Sequence, residues 1–134
     1  MINWFKRVGR KFGNAAKGLV VMIREEKSLW VHLFVTVIVI AMGIIFKLDR
    51  FEWSIIILTI SIVIGFEILN TAIEYLVDIV SFEYNVKAKK IKDVAAMATL
   101  IVTIAAIIIG LIIFIPNINE MIDSGTEATR SLAW

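Results

Sequence analysis

The chain has 134 residues, of which 60% are hydrophobic, and a net charge of only +2. Soluble domains carry about 45–50% apolar residues, so this excess predicts an integral membrane protein of a single domain. The small net charge does not favour a nucleic-acid partner, and the absence of cysteine excludes disulfides, thiolate nucleophiles and cysteine-ligated metals.

Residues 1–28 predict an amphipathic helix on the membrane surface. Apolar residues recur at helical intervals from Ile2 to Ile23, and lysine and arginine fill much of the remainder. Trp4 and Phe5 would anchor this helix at the interface. A solvated basic tail is the alternative. The polar run from Arg24 to Ser28 predicts a break before the first span.

Three apolar stretches predict transmembrane helices over residues 29–46, 53–80 and 94–115. A charged turn over 47–52 and a lysine-rich loop over 81–93 would connect them. Pro116 is expected to close the third helix, leaving a tail over 116–134 that is expected to be weakly ordered after Asn119. The predicted fold is therefore all-α and integral to the membrane, with a surface helix and three spans.

The basic residues near the spans predict the topology. Seven lysines and arginines precede Leu29 and four lie in the 81–93 loop, against two in the 47–52 turn and one after Pro116. Because cytoplasmic segments are enriched in these residues, the N-terminus and second loop are expected to be cytoplasmic. The C-terminus is then external.

One face of the second span is polar. Glu67, Asn70, Glu74 and Asp78 are spaced three, four and four residues apart, so they share one side of a helix whose other sides are apolar. We call these four residues the polar row. An unpaired carboxylate in such a helix costs at least roughly 3 kcal/mol and indicates function. A buried network that only fixes helix register is the alternative reading.

The chemistry of this row favours a hard cation. Carboxylate and amide oxygens without cysteine suit Mg²⁺, which fills its shell with water and phosphate oxygens. Basic side chains on the same membrane face would hold phosphates directly. Together these groups suggest phosphoryl transfer from a nucleotide to a membrane-dissolved alcohol. No glycine-rich phosphate loop is present, and a small proton- or cation-coupled transporter is the competing interpretation.

A motif in the second and third spans closely resembles the prokaryotic diacylglycerol kinase family of small membrane lipid kinases. It runs Glu67-Ile68-Leu69-Asn70-Thr71-Ala72-Ile73-Glu74, then Asp78, then Lys92-Asp93-Val94-Ala95-Ala96. Lys17 and Glu26 match the family's N-terminal landmarks. The resemblance implies a homotrimer in the bacterial plasma membrane, with shared inter-subunit sites at the cytosolic face that use ATP and Mg²⁺.

The resemblance also implies roles for individual residues. Glu67 would be the general base for the lipid hydroxyl, Asn70 would order Glu67 and the substrate, and Glu26 and Glu74 would hold the metal bound to ATP. The other residues expected at the nucleotide are Arg7, Asn14, Lys17, Asp78, Glu83, Tyr84, Asn85, Lys92 and Asp93. The lipid substrate is expected at Glu67, Asn70, His32 and Ala96.

His32 matches the Gram-positive branch of the family, whose members resemble undecaprenol kinases. Undecaprenol is therefore the expected substrate, with diacylglycerol as the alternative and a non-enzymatic oligomeric transporter as the second alternative. Three positions depart from the residues common in the family: Ser28, Trp30 and Met97.

Overall fold

The computed structural model describes residues 2–81 and 85–132, with side chains described for 4–81 and 85–123. Within those ranges the chain forms four helices and no strand: α1 (Ile2–Glu25), α2 (Lys27–Ile45), α3 (Arg50–Val80) and α4 (Val86–Leu132). Of these, α2, α3 and the Val86–Asp123 part of α4 are long and apolar enough to cross a membrane. The predicted all-α fold with three spans is confirmed.

Helices α1 and α2 are separated by a single residue. Glu26 has an extended backbone and begins α2 without a side-chain cap. The indole of Trp30 bridges the break by donating to the carbonyl of Ile23 at 2.8 Å. Met22 and Leu29 are both buried beside this junction. The predicted break between the surface helix and the first span is therefore real and tightly held.

The C-terminus of α2 ends in a Schellman motif. The Leu48 amide donates to the Gly43 carbonyl at 3.1 Å and the Lys47 amide to the Ile44 carbonyl at 3.3 Å. Lys47 takes the left-handed conformation that this motif requires, with φ of 54°. Glycine is needed at position 43, because a Cβ there would lie 2.9 Å from the ring of Trp53. The turn therefore draws α2 against α3.

Helix α3 begins three residues earlier than the sequence predicts. Asp49 caps it by accepting from the amides of Phe51 and Glu52, and Glu52 accepts from the Asp49 amide in return. This reciprocal capping box satisfies amides that would otherwise lack partners at a helix start. Near the same end of the bundle, Leu48, Ile56, Ile113 and Phe114 form the buried core.

Helix α4 corrects two expectations. It already begins at Val86, so the second loop is shorter than 81–93, and it continues through Pro116 to Leu132. The prediction that Pro116 ends this helix is wrong. The side-chain amide of Asn117 donates both to Ile113 on its own helix and to the Glu52 carboxylate on α3. These bonds hold the helix past the proline, in line with the tolerance for proline in transmembrane helices.

Candidate functional site

The polar row lies on one face of α3 and becomes more exposed toward the end of the helix. Glu67 is 5% exposed, Asn70 and Glu74 are half-buried, and Asp78 is exposed. The row spans eleven residues, or about 16 Å along the axis. The row therefore begins with a carboxylate in the apolar interior and ends with a carboxylate exposed to water. The face was predicted from spacing alone, but the steepness of this gradient depends on α2 and α4.

Glu67 is paired with His32 across the bundle. The imidazole Nε2 of His32 lies 3.5 Å from the Glu67 carboxylate Oε2, and the His32 side chain is 21% exposed. This distance is short enough for attraction but longer than a well-formed hydrogen bond. The sequence predicted that both residues touch the lipid substrate; the structure brings them together from α2 and α3.

Asn70 and Glu74 form the middle of the row. The Asn70 amide nitrogen donates to Glu74 Oε1 at 2.9 Å. The Asn70 carbonyl oxygen is buried and has no hydrogen-bond partner among the described residues. Leaving a buried acceptor unpaired costs about 1–3 kcal/mol, so this oxygen is suited to accept from a donor or to bind a cation beyond the described residues. This orphaned oxygen is the strongest local sign of a binding site.

Asp78 is joined to α4 by an ion pair. Its Oδ1 lies 2.6 Å from the Nζ of Lys92, with side-chain exposures of 63% and 34%. An exposed pair of this kind contributes roughly 0–1 kcal/mol, so it is a weak stabiliser. Its consequence is geometric: Lys92 and the neighbouring Asp93 are held beside the outer part of the polar row, where they were predicted to contact a nucleotide.

The end of α1 reaches the same region. The Tyr75 hydroxyl on α3 donates to the carboxylate of Glu25 at 2.9 Å. This bond joins the end of α1 to α3 one residue beyond Glu74, on a neighbouring face of the helix. Neither Tyr75 nor Glu25 was predicted to belong to the site. The sequence could not place them, because nothing in it fixes where α1 meets α3.

Helix α4 packs closely beside Glu67. The Thr99 hydroxyl lies 3.4 Å from the carbonyl of Phe66, the residue before Glu67, and Ala95 is buried one turn earlier. Small residues at such a contact let two helices approach. Ala96, predicted at the lipid, is exposed on the next face of the same helix.

The residues predicted at the nucleotide divide into three groups. Arg7, Asn14 and Lys17 are exposed along α1, and Asp93 is exposed on α4. Asn85 caps the start of α4 by accepting from the Lys87 amide at 2.8 Å. The remaining two predicted residues, Glu83 and Tyr84, lie outside the described residues.

The candidate metal ligands are two carboxylates, those of Glu26 and Glu74, and not a dense cluster of acids. Within the described ranges no three histidine or acidic side chains group closely enough to hold an ion. Glu74 Oε2 has no donor among those residues, and Glu26 makes no capping bond at the start of α2. Two carboxylates with open oxygens fit Mg²⁺, which usually takes one or two from protein and completes its shell with water and phosphate.

An apolar slot of about 380 Å³ lies between α2, α3 and α4. His32 and Met42 line it from α2, Ile56 and Val63 from α3, and Gly110 from α4. His32 therefore faces both the slot and the Glu67 carboxylate. The slot was not foreseen from the sequence, because it depends on how three apolar helices leave space between them.

Three apolar helices long enough to cross a membrane, one of them with a polar row toward its end, define the class of polytopic membrane proteins. Residues 13–114 match the family described as prokaryotic diacylglycerol kinase. The chain therefore belongs to that family of membrane lipid kinases, which confirms the resemblance seen in its motifs.

Curated relatives agree with this assignment. The chain is 34% identical over 116 residues to an undecaprenol kinase of Bacillus subtilis, covering 87% of this chain and 94% of the relative. It is also 34% identical over 111 residues to a diacylglycerol kinase of Synechocystis, covering 82% and 63% of the two chains. A diacylglycerol kinase of Helicobacter pylori is 30% identical over 97 residues, covering 72% and 76%.

Proposed function

We propose that this protein transfers the γ-phosphate of ATP to undecaprenol. The observation that carries this proposal is a nearly buried carboxylate, Glu67, placed beside His32 at the end of an apolar slot. A lipid alcohol is a substrate that needs a proton acceptor in an apolar environment. The relative from Bacillus subtilis is named for undecaprenol, which is why this alcohol is preferred over diacylglycerol.

The residues of the row divide the reaction between them. Glu67 accepts the proton of the lipid hydroxyl, and the hydroxyl oxygen forms a bond to the γ-phosphorus. The bond from that phosphorus to the bridging oxygen breaks, and ADP leaves with the electron pair. Asn70 orders the site, since its amide nitrogen is fixed by Glu74, while the single proton of the hydroxyl goes to Glu67.

Glu26 and Glu74 would hold Mg²⁺ with ATP. When bound, the ion neutralises charge on the phosphate oxygens during transfer. Lys92 and Asp93 would contact the nucleotide at the outer end of the row, together with Arg7, Asn14, Lys17, Asp78 and Asn85, and with Glu83 and Tyr84 outside the described residues. The gradient of burial supports this division, because the lipid meets the buried end and the nucleotide meets the exposed end.

The working form is proposed to be a homotrimer with sites shared between subunits, an N-terminus in the cytoplasm and an external C-terminus. One feature supports an assembly. Within the described part of one chain, no three acidic or histidine side chains group closely enough to hold a cation. The basic residues of α1 and of the start of α4 support the orientation, by the enrichment of lysine and arginine on the cytoplasmic side.

The direct test is phosphorylation of lipid by purified protein. The protein in detergent is supplied with radiolabelled ATP, Mg²⁺ and either undecaprenol or diacylglycerol, and labelled lipid is extracted and counted. We expect undecaprenol to be phosphorylated with the higher kcat/KM. Higher kcat/KM for diacylglycerol would reverse the substrate assignment, and phosphorylation of neither lipid would contradict the enzyme.

Glu67→Gln tests the proton acceptor while keeping the side chain's shape. General-base catalysis contributes typically 10²–10⁴-fold, so kcat should fall by about that factor with little change in the KM for ATP. Glu120→Gln, at an exposed position of α4, is the matched control and should retain full activity. Turnover of Glu67→Gln close to that of the control would refute the role as base.

Sharing of sites is tested by mixing two inactive variants. Glu26→Gln and Glu67→Gln protein, unfolded and refolded together, should regain part of the activity if one site draws these residues from different subunits. Cross-linking of the refolded mixture should give trimers. Trimers without any recovered activity would show that each subunit forms its own complete site.

A further inference from the structure

The apolar slot runs along the bundle from the polar row toward the opposite end. Its lining on α2 extends from His32 to Met42, ten residues or about 15 Å. The polar lining residues are His32 and three threonines. Thr36 and Thr103 donate to carbonyls of their own helices at 2.8 and 2.9 Å, so these hydroxyls need no partner from the slot. The interior is therefore suited to hydrocarbon.

The position of His32 determines which chemical group suits the polar end of the slot. This residue lines the slot, and its imidazole lies 3.5 Å from the Glu67 carboxylate. A hydrocarbon chain in the slot that carried a hydroxyl at this end would place the hydroxyl against the two side chains. Polar chemistry at one end and an apolar run of about 15 Å match an alcohol with a long tail.

The wall formed by α4 leaves open space at Gly110. A Cβ built on this residue would meet nothing within 4 Å, and Ala106, one turn earlier, also lines the slot. Open space of this radius accommodates a methyl group at ordinary contact distance. A chain with methyl branches could place one there, whereas a straight chain would leave the space unfilled and lose contacts.

We propose that the slot binds one hydrocarbon chain of the lipid alcohol, and that Gly110 with Ala106 makes room for the methyl branches of a polyisoprenoid. The proposal rests on the proposed function for its substrate, and it assigns the chain selectivity of that substrate to α4. A second copy of the protein is the competing occupant, because its side chains could fill the same space.

The test uses photolabelling without ATP, so it does not depend on activity. Two probes are compared: a polyisoprenyl alcohol and a straight-chain fatty alcohol, each bearing a diazirine in the chain. Labelled peptides should come from α2 and α4 around His32, Met42 and Gly110. Gly110→Ala should raise the half-saturating concentration of the branched probe about tenfold, since one misplaced methyl group costs at least that much, and leave the straight probe within about twofold.

A larger substitution and a matched control complete the design. Gly110→Leu should abolish specific labelling by both probes, and Ala105→Leu, which is exposed on the same helix outside the slot, should change neither. Labelling that maps elsewhere, or an equal response of the two probes to Gly110→Ala, would overturn the proposal. So would loss of the oligomer in Gly110→Leu with unchanged labelling, because a second copy would then be the occupant.

The two proposals fail separately. If the wild-type protein phosphorylates no lipid, the proposed function is wrong, and the labelling pattern still decides whether the slot binds a branched chain. If lipid is phosphorylated normally but neither the labelling nor the KM for undecaprenol responds to Gly110→Ala and Gly110→Leu, the slot is not the tail site. Undecaprenol KM should rise about tenfold in Gly110→Ala with the KM for ATP unchanged.

Discussion

Gly43→Ala should destabilise the protein, although alanine is the better helix former. The added Cβ would lie 2.9 and 3.0 Å from two ring carbons of Trp53 and 3.2 Å from a methyl of Leu48. Both neighbours belong to the packed turn between α2 and α3, so neither moves cheaply. Overpacking costs typically 1–3 kcal/mol, against a gain of about 0.8–1.0 kcal/mol from helix propensity.

The matched control is Gly110→Ala, where the same methyl group meets nothing within 4 Å. That variant should gain up to about 1 kcal/mol, so the two alanine variants should differ in unfolding free energy by about 1–3 kcal/mol. Reversible unfolding in mixed detergent and SDS micelles, followed by tryptophan fluorescence, gives both values. If Gly43→Ala is as stable as Gly110→Ala, the close packing of Trp53 on α2 is not a feature of the folded protein.

Three other outcomes are expected. Lys47→Gly should stabilise the protein by about 1 kcal/mol in the same unfolding assay, because its positive φ is strained for lysine but not for glycine; a loss of stability would contradict the Schellman turn. Glu74→Gln should lose most lipid kinase activity and recover part of it at raised Mg²⁺; a loss that no Mg²⁺ concentration relieves would exclude a metal ligand. Lys92→Met should raise the KM for ATP while changing unfolding by no more than about 1 kcal/mol, because its partner Asp78 is exposed; an unchanged KM would leave Lys92 only a structural pair.

Much of the fold follows from local chemistry that a sequence displays. Long apolar runs give the three spans, and the helical spacing of Glu67, Asn70, Glu74 and Asp78 gives the polar face. The C-terminal end of α4 could not be predicted from such local patterns. Pro116 lacks an amide donor and reads as a terminator, but Asn117 bonds to Glu52, which is 65 residues away in the chain. Such a tertiary bond leaves no periodic signal.

The site, like the fold, was predicted only in part from the sequence. Motif positions led us to expect both Glu67 and His32 at the lipid substrate. They could not show that the two side chains lie 3.5 Å apart, because that distance depends on the α2–α3 turn at the far end of the bundle. Tyr75 was missed for a related reason: its bond to Glu25 joins residues 50 positions apart in the chain, and no local pattern in the sequence brings them together.

The burial gradient along α3 explains why two substrates of opposite character can meet on one helix. A lipid hydroxyl comes from the hydrocarbon, so the acceptor proposed for it should be buried, and Glu67 is buried. A nucleotide comes from water, so the contacts proposed for it should be reachable, and Asp78 is exposed. Asn70 and Glu74 lie between them and are bonded to each other. Had the four residues shared one depth, either the alcohol or the phosphate would have to leave its own solvent to react, at a cost of several kcal/mol for the charged group.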